Sequence, residues 1–140
     1  MFQNLKKIQA WVEADGYFDI GFGPTVDPKK QEVAYILSTC MTCGCCSESC
    51  PQFSKKTRFM GPAPIAQVRL FSIHPTAKRK AEERLRVMQT EEGVTGCGNA
   101  QNCVRVCPKR IPLTDSIAAI GRDVSLQALR NFFSLPERGA

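Results

Sequence analysis

Apolar residues recur every three or four positions in five stretches of this chain, with polar and charged residues between them. A helix places such positions on one face, so each stretch predicts an amphipathic helix with one buried side. The five predicted helices span residues 2–14, 28–38, 64–72, 76–89 and about 112–133. Their expected buried positions are Leu5, Ile8, Trp11, Val12, Val33, Ile36, Leu37, Ile65, Val68, Leu70 or Phe71, Ala81, Leu85, Met88, Ile117, Ile120, Val124, Ala128, Leu129 and Phe132. No stretch alternates apolar and polar residues convincingly, so the predicted fold class is all-α.

Proline and capping residues mark where these helices begin and end. Asp27 followed by Pro28 predicts an N-cap and a first-turn proline for the second helix. Thr76 is the expected N-cap of the fourth helix. Pro75 ends the third helix. We therefore expect His74, the single histidine of the chain, to be an exposed loop residue without a catalytic role.

Two cysteine motifs carry the chemistry. Residues 40–51 read CMTCGCCSESCP and, with Cys45 skipped, follow the C-x2-C-x2-C-x3-C-P spacing of bacterial ferredoxins. Residues 97–108 read CGNAQNCVRVCP and follow the same spacing, with Ala100 at the second cysteine position. Three cysteines at intervals of three residues can turn their sulfurs to one point, whereas the last cysteine of such a motif ligates the other cluster of a pair. We therefore expect the last cysteine of each motif to ligate the cluster that the other motif binds.

Exchanging the last cysteines of the two motifs assigns each of their cysteines, except Cys45, to one of two sites. The four-thiolate site, suited to a [4Fe–4S] cluster, consists of Cys40, Cys43, Cys46 and Cys107. The three-thiolate site consists of Cys50, Cys97 and Cys103. It suits a [3Fe–4S] cluster, because Ala100 cannot hold the iron that a cysteine would have held. The predicted metal is iron, bound through these seven cysteines.

Zinc and disulfides are the competing explanations. One zinc ion takes four ligands, commonly from two separated pairs, and seven cysteines in two frames fit two clusters better. A disulfide framework suits small secreted domains, but the first residues lack the pattern of a secretory leader, and Cys45 and Cys46 are adjacent. Cys45 lies outside the three-residue spacing, and we expect it to be a small buried residue near the cluster that does not ligate iron.

Length and charge limit the function further. The 140 residues, 43% of them hydrophobic, predict one domain over residues 1–140. The formal net charge is +6, and residues 50–90 contain nine Lys or Arg against two acids. We favour a solvated helix face, or a docking surface for acidic partner subunits or anionic headgroups, over nucleic-acid binding. No apolar run reaches about 18 residues, as a membrane span requires. Without a phosphate loop or nucleotide fingerprint, the expected chemistry is electron transfer, with no change to a substrate's carbon skeleton on this chain.

With these motifs in view, the sequence resembles the C-terminal half of the iron–sulfur subunit of succinate dehydrogenase and fumarate reductase. The resemblance rests on residues 40–51, on FMGPAPIAQVRLF at 59–71 and on CGNAQNCVRVCPKRIPLTDSIA at 97–118. It implies an α-helical ferredoxin that passes electrons between an FAD-containing flavoprotein subunit and a quinone at a cytochrome b-type membrane anchor. It implies the same seven ligands as the crossed motifs, and a peripheral position on the cytoplasmic face of the bacterial inner membrane.

Two departures from that family matter. The family's N-terminal [2Fe–2S] domain is absent from these residues, so we expect a fragment, a split gene product or a truncated reading frame. Ubiquinone-using members place tryptophans shortly after the first C-P pair, where this chain has Ser54 and Lys55. At these positions the sequence therefore resembles menaquinone-using enzymes, and we expect Pro51 near the quinone. The direction of the reaction, succinate oxidation or fumarate reduction, stays open. The alternative is an electron-transfer subunit of a heterodisulfide-reductase-like or glycerol-phosphate dehydrogenase complex, although those have a cysteine where this chain has Ala100.

Overall fold

The regular structure of this chain is helical throughout the residues that can be described. The computed structural model describes residues 2–12 and 25–133, with the backbone alone at positions 78 and 79. These ranges contain seven α-helices and two 3-10 helices, and no strand occurs within them. The all-α prediction is confirmed. Five of the seven α-helices correspond to the five predicted ones, and the other two are single turns within the cysteine motifs.

Two long helices form the centre of the fold. The helices are α1 (Phe2–Lys7), α2 (Pro28–Ser38), α3 (Cys45–Glu48), α4 (Pro62–Ile73), α5 (Ala81–Met88), α6 (Asn102–Arg105) and α7 (Leu113–Phe132). The 3-10 helices are Ala77–Lys80 and Val94–Gly96. Helix α4 packs against α7 and also contacts α2, α3 and α5. It therefore contacts helices that precede it and helices that follow it in the sequence. The cysteine motifs lie on either side of it in the sequence.

The first helix is shorter than its apolar pattern predicts. It ends at Lys7, and Gln9 has a φ of 49°, which a continuing helix does not allow. Ile8 is fully buried, whereas Trp11 and Val12 are exposed, so the predicted apolar face stops at the helix end. Residues 13 and 14, which the pattern included in the helix, lie outside the described residues.

The second helix follows its predicted caps. The Asp27 carboxylate accepts a hydrogen bond from the Lys29 N–H at 2.9 Å, and Pro28 is the first helical residue. The helix ends at Ser38, as expected. Of its three predicted apolar positions Leu37 is buried, Val33 is half-buried and Ile36 is exposed.

The segment after α4 differs from the prediction at Thr76. His74 is exposed, as expected, and its Nδ1 lies 3.0 Å from the Thr76 hydroxyl. A 3-10 helix follows, and α5 begins only at Ala81, so Thr76 is not its N-cap. The hydroxyl that was expected to cap α5 contacts His74 instead, and the predicted helix of residues 76–89 is divided into two elements.

The core consists of two groups of buried residues that meet at α4. One contains Ile8, Phe59, Met60, Ile65, Val68, Met88 and Ile120. The other contains Leu37, Cys46, Ala63, Ala66, Cys103, Ile111 and Leu113, and two of these are cysteines of the motifs. Along α7 the apolar face is buried only as far as Val124, because Ala128, Leu129 and Phe132 are exposed, contrary to the prediction.

Among the described helices, none is both long and apolar enough to cross a bilayer.

Candidate cluster-binding sites

Four cysteines from both motifs line one pocket. Cys40, Cys43 and Cys46 face it from the first motif, and Cys107 faces it from the end of the second. The space between the lining atoms is about 370 Å³, a value that includes space open to solvent. The remaining lining residues are Met41, Thr42, Gly44, Ala63, Pro108, Lys109, Ile111 and Leu113. The structure thus brings together the four cysteines that the crossed motifs predict for one site.

The other three cysteines of the motifs line a second pocket of about 330 Å³. They are Cys50, Cys97 and Cys103, and Ala100 lines the same pocket. The remaining lining residues are Pro62, Gly98, Asn99, Gln101, Asn102, Thr114 and Ile117. The structure again groups the cysteines as predicted. Whether each one ligates iron stays a prediction.

Left-handed backbone turns shape the first motif. Thr42 has a φ of 53° and Gly44 a φ of 82°, and each of these left-handed residues lies between two cysteines of the motif. Gly44 is the N-cap of α3, which then carries Cys46 into the core. A left-handed conformation is unusual for threonine and costs free energy, so the surrounding structure must hold it. These turns let three sulfurs face one pocket within seven residues.

The second motif is built in the same way and is tied to the first. Asn99 and Gln101 have φ values of 54° and 59°, and Gln101 is the N-cap of α6. The Asn102 side-chain amide donates to the Ser49 carbonyl oxygen at 3.0 Å, and α3 packs against α6. This contact holds the two motifs side by side, as sites that share cysteines require.

Burial divides the cysteines into two classes. Burial raises the pKa of Cys46 to about 11, and hydrogen bonds from the Ser47 hydroxyl and the Ala63 N–H offset part of that effect. Burial also raises the pKa of Cys103. At the exposed edge, hydrogen bonds from the Cys45 N–H and thiol lower the pKa of Cys43. Metal binding requires thiolates, and burial makes deprotonation least favourable at Cys46 and Cys103.

The donors fit an iron–sulfur cluster better than a single metal ion. Among Cys, His, Asp and Glu side chains, only cysteine thiols line these two pockets, and thiolates are the ligands typical of such clusters. In the described part of the chain, no three Cys, His, Asp or Glu side chains are close enough to hold one ion. One zinc needs its sulfurs within about 2.3 Å of a common point. A cluster spreads its thiolates further apart, because each binds a different iron atom.

The expectation that Cys45 is buried is wrong, whereas its role as a residue that does not ligate iron stays a prediction. Cys45 was predicted to be a buried residue, but it is exposed and lines neither pocket. It is the first residue of α3, and the next residue, Cys46, takes the buried position on that turn. Spacing identifies Cys45 as the residue outside the frame, but it does not show which side of a four-residue helix faces solvent.

The residue predicted to lie near the quinone, Pro51, is accessible, and so is the start of the basic stretch. Pro51, Ser54 and Lys55 are exposed on the segment that follows Cys50, where the Thr57 hydroxyl donates to the Gln52 carbonyl oxygen at 2.6 Å.

The basic stretch is only partly a surface. Lys55, Lys56 and Arg58 are exposed, whereas Arg84, which was counted with them, is 1% exposed and lies in the core. The side chains of Lys78 and Arg79 lie outside the described ones. Arg84 therefore has to be removed from any predicted docking surface.

Sequence reasoning did not find Ser47 and Ala63 as residues of the first site. Ser47 is buried beside Cys46, and Ala63 lines the pocket with the four cysteines. The unusual Pro62-Ala63-Pro64 start of α4 was the available signal, because it leaves one backbone N–H among three residues at a helix N-terminus.

Comparisons with known proteins agree with this geometry. Residues 36–111 match the family model described as "4Fe-4S dicluster domain". The chain is 56% identical over 133 residues to the succinate dehydrogenase iron-sulfur subunit of Bacillus subtilis (strain 168), a match that covers 95% of this chain and 53% of that protein. It is 30% identical over 118 residues to the fumarate reductase iron-sulfur subunit of Wolinella succinogenes, covering 84% of this chain and 49% of that protein. The chain spans about half the length of these curated relatives.

Proposed function

Since this chain belongs to the 4Fe-4S dicluster domain family, we propose that it is the electron-transfer iron–sulfur subunit, or the C-terminal part of one, of a succinate dehydrogenase or fumarate reductase. One observation carries the proposal: each of two pockets is lined by cysteines from both motifs, four in one and three in the other. The names of the relatives support the type of complex. In this proposal residues 1–140 act as one α-helical ferredoxin domain.

The chain's own residues would bind two clusters and hold them close together. Bound clusters supply one-electron carriers, whose potentials depend on ligands, hydrogen bonds and exposure. The proposed ligands of [4Fe–4S] are Cys40, Cys43, Cys46 and Cys107, and those of [3Fe–4S] are Cys50, Cys97 and Cys103. Consecutive residues of α4 line the two pockets, Pro62 the second and Ala63 the first. The two pockets therefore meet at the first turn of α4. The buried Ile111 and Leu113 help to exclude water from the first pocket.

Ala100 is the reason for proposing three irons in the second pocket. It lines that pocket at the motif position where a cysteine would hold a fourth iron. Its methyl group cannot coordinate a metal, so one corner of a cube would have no protein ligand. Complexes of the heterodisulfide-reductase-like or glycerol-phosphate dehydrogenase type, the alternative, have a complete motif at this place.

The proposed partners are an FAD-containing flavoprotein subunit, a cytochrome b-type membrane anchor and a quinone. The exposed cations Lys55, Lys56 and Arg58 support a docking surface on the segment that follows Cys50. Pro51, which is exposed beside Cys50, is the proposed neighbour of the quinone. Menaquinone is the proposed type, because Ser54 and Lys55 stand where ubiquinone-using members have tryptophans. The proposed location is the cytoplasmic face of the bacterial inner membrane, reached through the partner subunits.

Mössbauer and electron paramagnetic resonance spectra of the anaerobically purified complex test the proposal. We expect one [4Fe–4S] and one [3Fe–4S] signal from this chain. A colourless protein that binds zinc would contradict electron transfer altogether. Two four-iron clusters would instead favour the complexes with a complete second motif.

A further inference from the structure

Arg69 is a half-buried cation held between the two long helices. Its Nη1–H donates to the Ser116 hydroxyl oxygen at 3.2 Å, which joins α4 to α7. Ser116 is fully buried, and its own hydroxyl donates to the Pro112 carbonyl oxygen at 3.2 Å. Because the hydroxyl hydrogen is used in this way, the Ser116 oxygen faces the guanidinium as an acceptor. The hydrogen bond fixes the guanidinium at the contact between the helices.

The positive charge of Arg69 has no carboxylate partner among the described residues. Within residues 2–12 and 25–133 the ion pairs join other side chains, and the Ser116 hydroxyl that binds Arg69 is uncharged. Arginine keeps its charge in proteins. A charge that is partly removed from water is screened less than an exposed one, so it acts on groups in the neighbouring part of the fold.

Both helices place this charge behind the second pocket. On α7, Ser116 lies in the sequence between Thr114 and Ile117, which line that pocket. On α4, Arg69 comes seven residues after Pro62, which lines the same pocket. Seven residues are about two turns, so Arg69 and Pro62 share a face of the helix. Side chains on a helix lean towards its N-terminus, and the Arg69 side chain therefore extends along α4 towards the pocket.

The first pocket lies close to the same charge along one helix only. Its lining residue on α7 is Leu113, three residues before Ser116. Its lining residue on α4 is Ala63, six residues before Arg69, which places the two about 120° apart around the helix axis. A cluster in the second pocket is therefore expected to respond to Arg69 more strongly than a cluster in the first.

We propose that Arg69 raises the reduction potential of the cluster in the second pocket by holding a positive charge behind it. The inference rests on the proposed function, because it requires a cluster bound by Cys50, Cys97 and Cys103. Reduction adds one electron to that cluster and makes it more negative. A nearby positive charge stabilises the reduced state more than the oxidised state, so it raises the potential. Ser116 has the supporting role of holding the guanidinium in place.

The test is a redox titration of the complete complex with an added reductant, followed by electron paramagnetic resonance. Arg69→Gln keeps an N–H donor for Ser116 and removes the charge. It is expected to lower the equilibrium constant for one-electron reduction of the second cluster about fivefold, which corresponds to about 40 mV at about 59 mV per tenfold change. Arg69→Lys keeps the charge and should stay near the wild-type potential. Arg122→Gln is the control, because Arg122 is exposed on α7 six residues beyond Ser116.

Ser116→Ala separates the charge from the packing of the helices. It removes the hydrogen bond and keeps the charge, so it should move the potential less than Arg69→Gln does. If Arg69 only held α4 against α7, then Ser116→Ala and Arg69→Lys would change the potential as much as Arg69→Gln, and that result overturns the inference. An unmoved potential in Arg69→Gln, or a larger change at the first cluster than at the second, overturns it as well.

A second neutral variant covers the case in which Arg69→Gln loses its cluster. Arg69→Met keeps much of the side-chain volume and should lower the potential by a similar amount, and an unchanged potential in this variant also refutes the role of the charge. Absence of any cluster from the second pocket of the wild type contradicts the proposed function instead, so the two failures are distinct.

Discussion

The Arg84 Nε–H donates to the Ile8 carbonyl oxygen at 3.1 Å, across 76 positions of sequence. The same guanidinium donates to the carbonyl oxygens of Gln9, Trp11 and Ala77. The carbonyl groups after α1 have no helical partner, because the helix ends at Lys7. Arg84 satisfies them and joins the first segment of the chain to α5.

Replacing Arg84 is therefore expected to destabilise the fold without touching a cysteine. Arg84→Met removes the donor to the buried Ile8 and Ala77 carbonyl groups and should cost about 3 kcal/mol. The thermal midpoint of the cluster-bound protein should fall by about 10 °C. Arg86→Met is the control on the same helix, because Arg86 forms an exposed pair with Glu82 that is worth at most about 1 kcal/mol. Equal shifts in both variants would contradict the role given to Arg84.

The crossed pockets predict which cluster each cysteine variant damages. Cys107→Ser should disrupt the [4Fe–4S] signal, although Cys107 belongs to the second motif. Cys103→Ser should disrupt the [3Fe–4S] signal. Electron paramagnetic resonance of the two variants distinguishes these outcomes, and the reverse pattern of losses would show that the motifs do not exchange their last cysteines. Cys45→Ala, a change at an exposed position outside both pockets, should leave both signals intact.

Ala100→Cys should convert the second site to a four-iron cluster. The new thiol enters a pocket already lined by Cys50, Cys97 and Cys103. An added ligand and an added iron change the charge at the sulfurs, and we expect a lower potential and slower electron delivery to quinone. Mössbauer spectra before and after the substitution test the conversion, with the cluster at Cys40, Cys43, Cys46 and Cys107 as the internal reference. A wild type that already holds two four-iron clusters would refute the prediction.

Removing iron should unfold much of the chain. The cysteines and the residues around them belong to the core, where Cys46 and Cys103 pack with Leu37 and Ile111. Ligand sites of this kind rarely form without their metal. Anaerobic chelation should therefore reduce the helical circular dichroism in parallel with the visible absorbance. Full helix content in the colourless protein would contradict this expectation.

Reversing the charge of Lys55 and Lys56 together should weaken assembly with the proposed partner subunits. Both side chains are exposed, and the loss should be smaller at high salt, because ions screen exposed charges. Reversal of Lys29 and Lys30, an exposed pair on α2, is the control for net charge. Co-purification of the flavoprotein and the anchor measures the effect, and equal recovery with both double variants would exclude a docking role for Lys55 and Lys56. Tight, salt-dependent binding of the wild type to duplex DNA would favour the nucleic-acid alternative.

The sequence predicted those features that depend on local rules. Asp27 and Pro28 placed the start of α2 correctly, because capping and proline geometry act within one turn. The cysteine spacing also predicted how the cysteines divide between two pockets.

Features that depend on distant contacts were not predicted. The burial of Arg84 needs carbonyl groups more than 70 positions away, and Ala63 joins the first site only because α4 packs beside α3. The exposure of Cys45 follows from the orientation of α3 against that same neighbour, which a spacing rule does not contain.

The distance along the chain between cysteines of one pocket also has a consequence during protein synthesis. Cys46 and Cys107 line one pocket, yet they are 61 positions apart in the chain. A ribosome adding about 5–20 residues per second needs about 3–12 s to cover that interval. During this time the first three thiols are present without their fourth partner and are open to oxidants and stray metal ions. With the proposed ligands, delivery of a cluster to the four-thiolate pocket has to wait until residue 107 has been synthesised, because a nascent chain stalled before that residue offers only three of the four sulfurs.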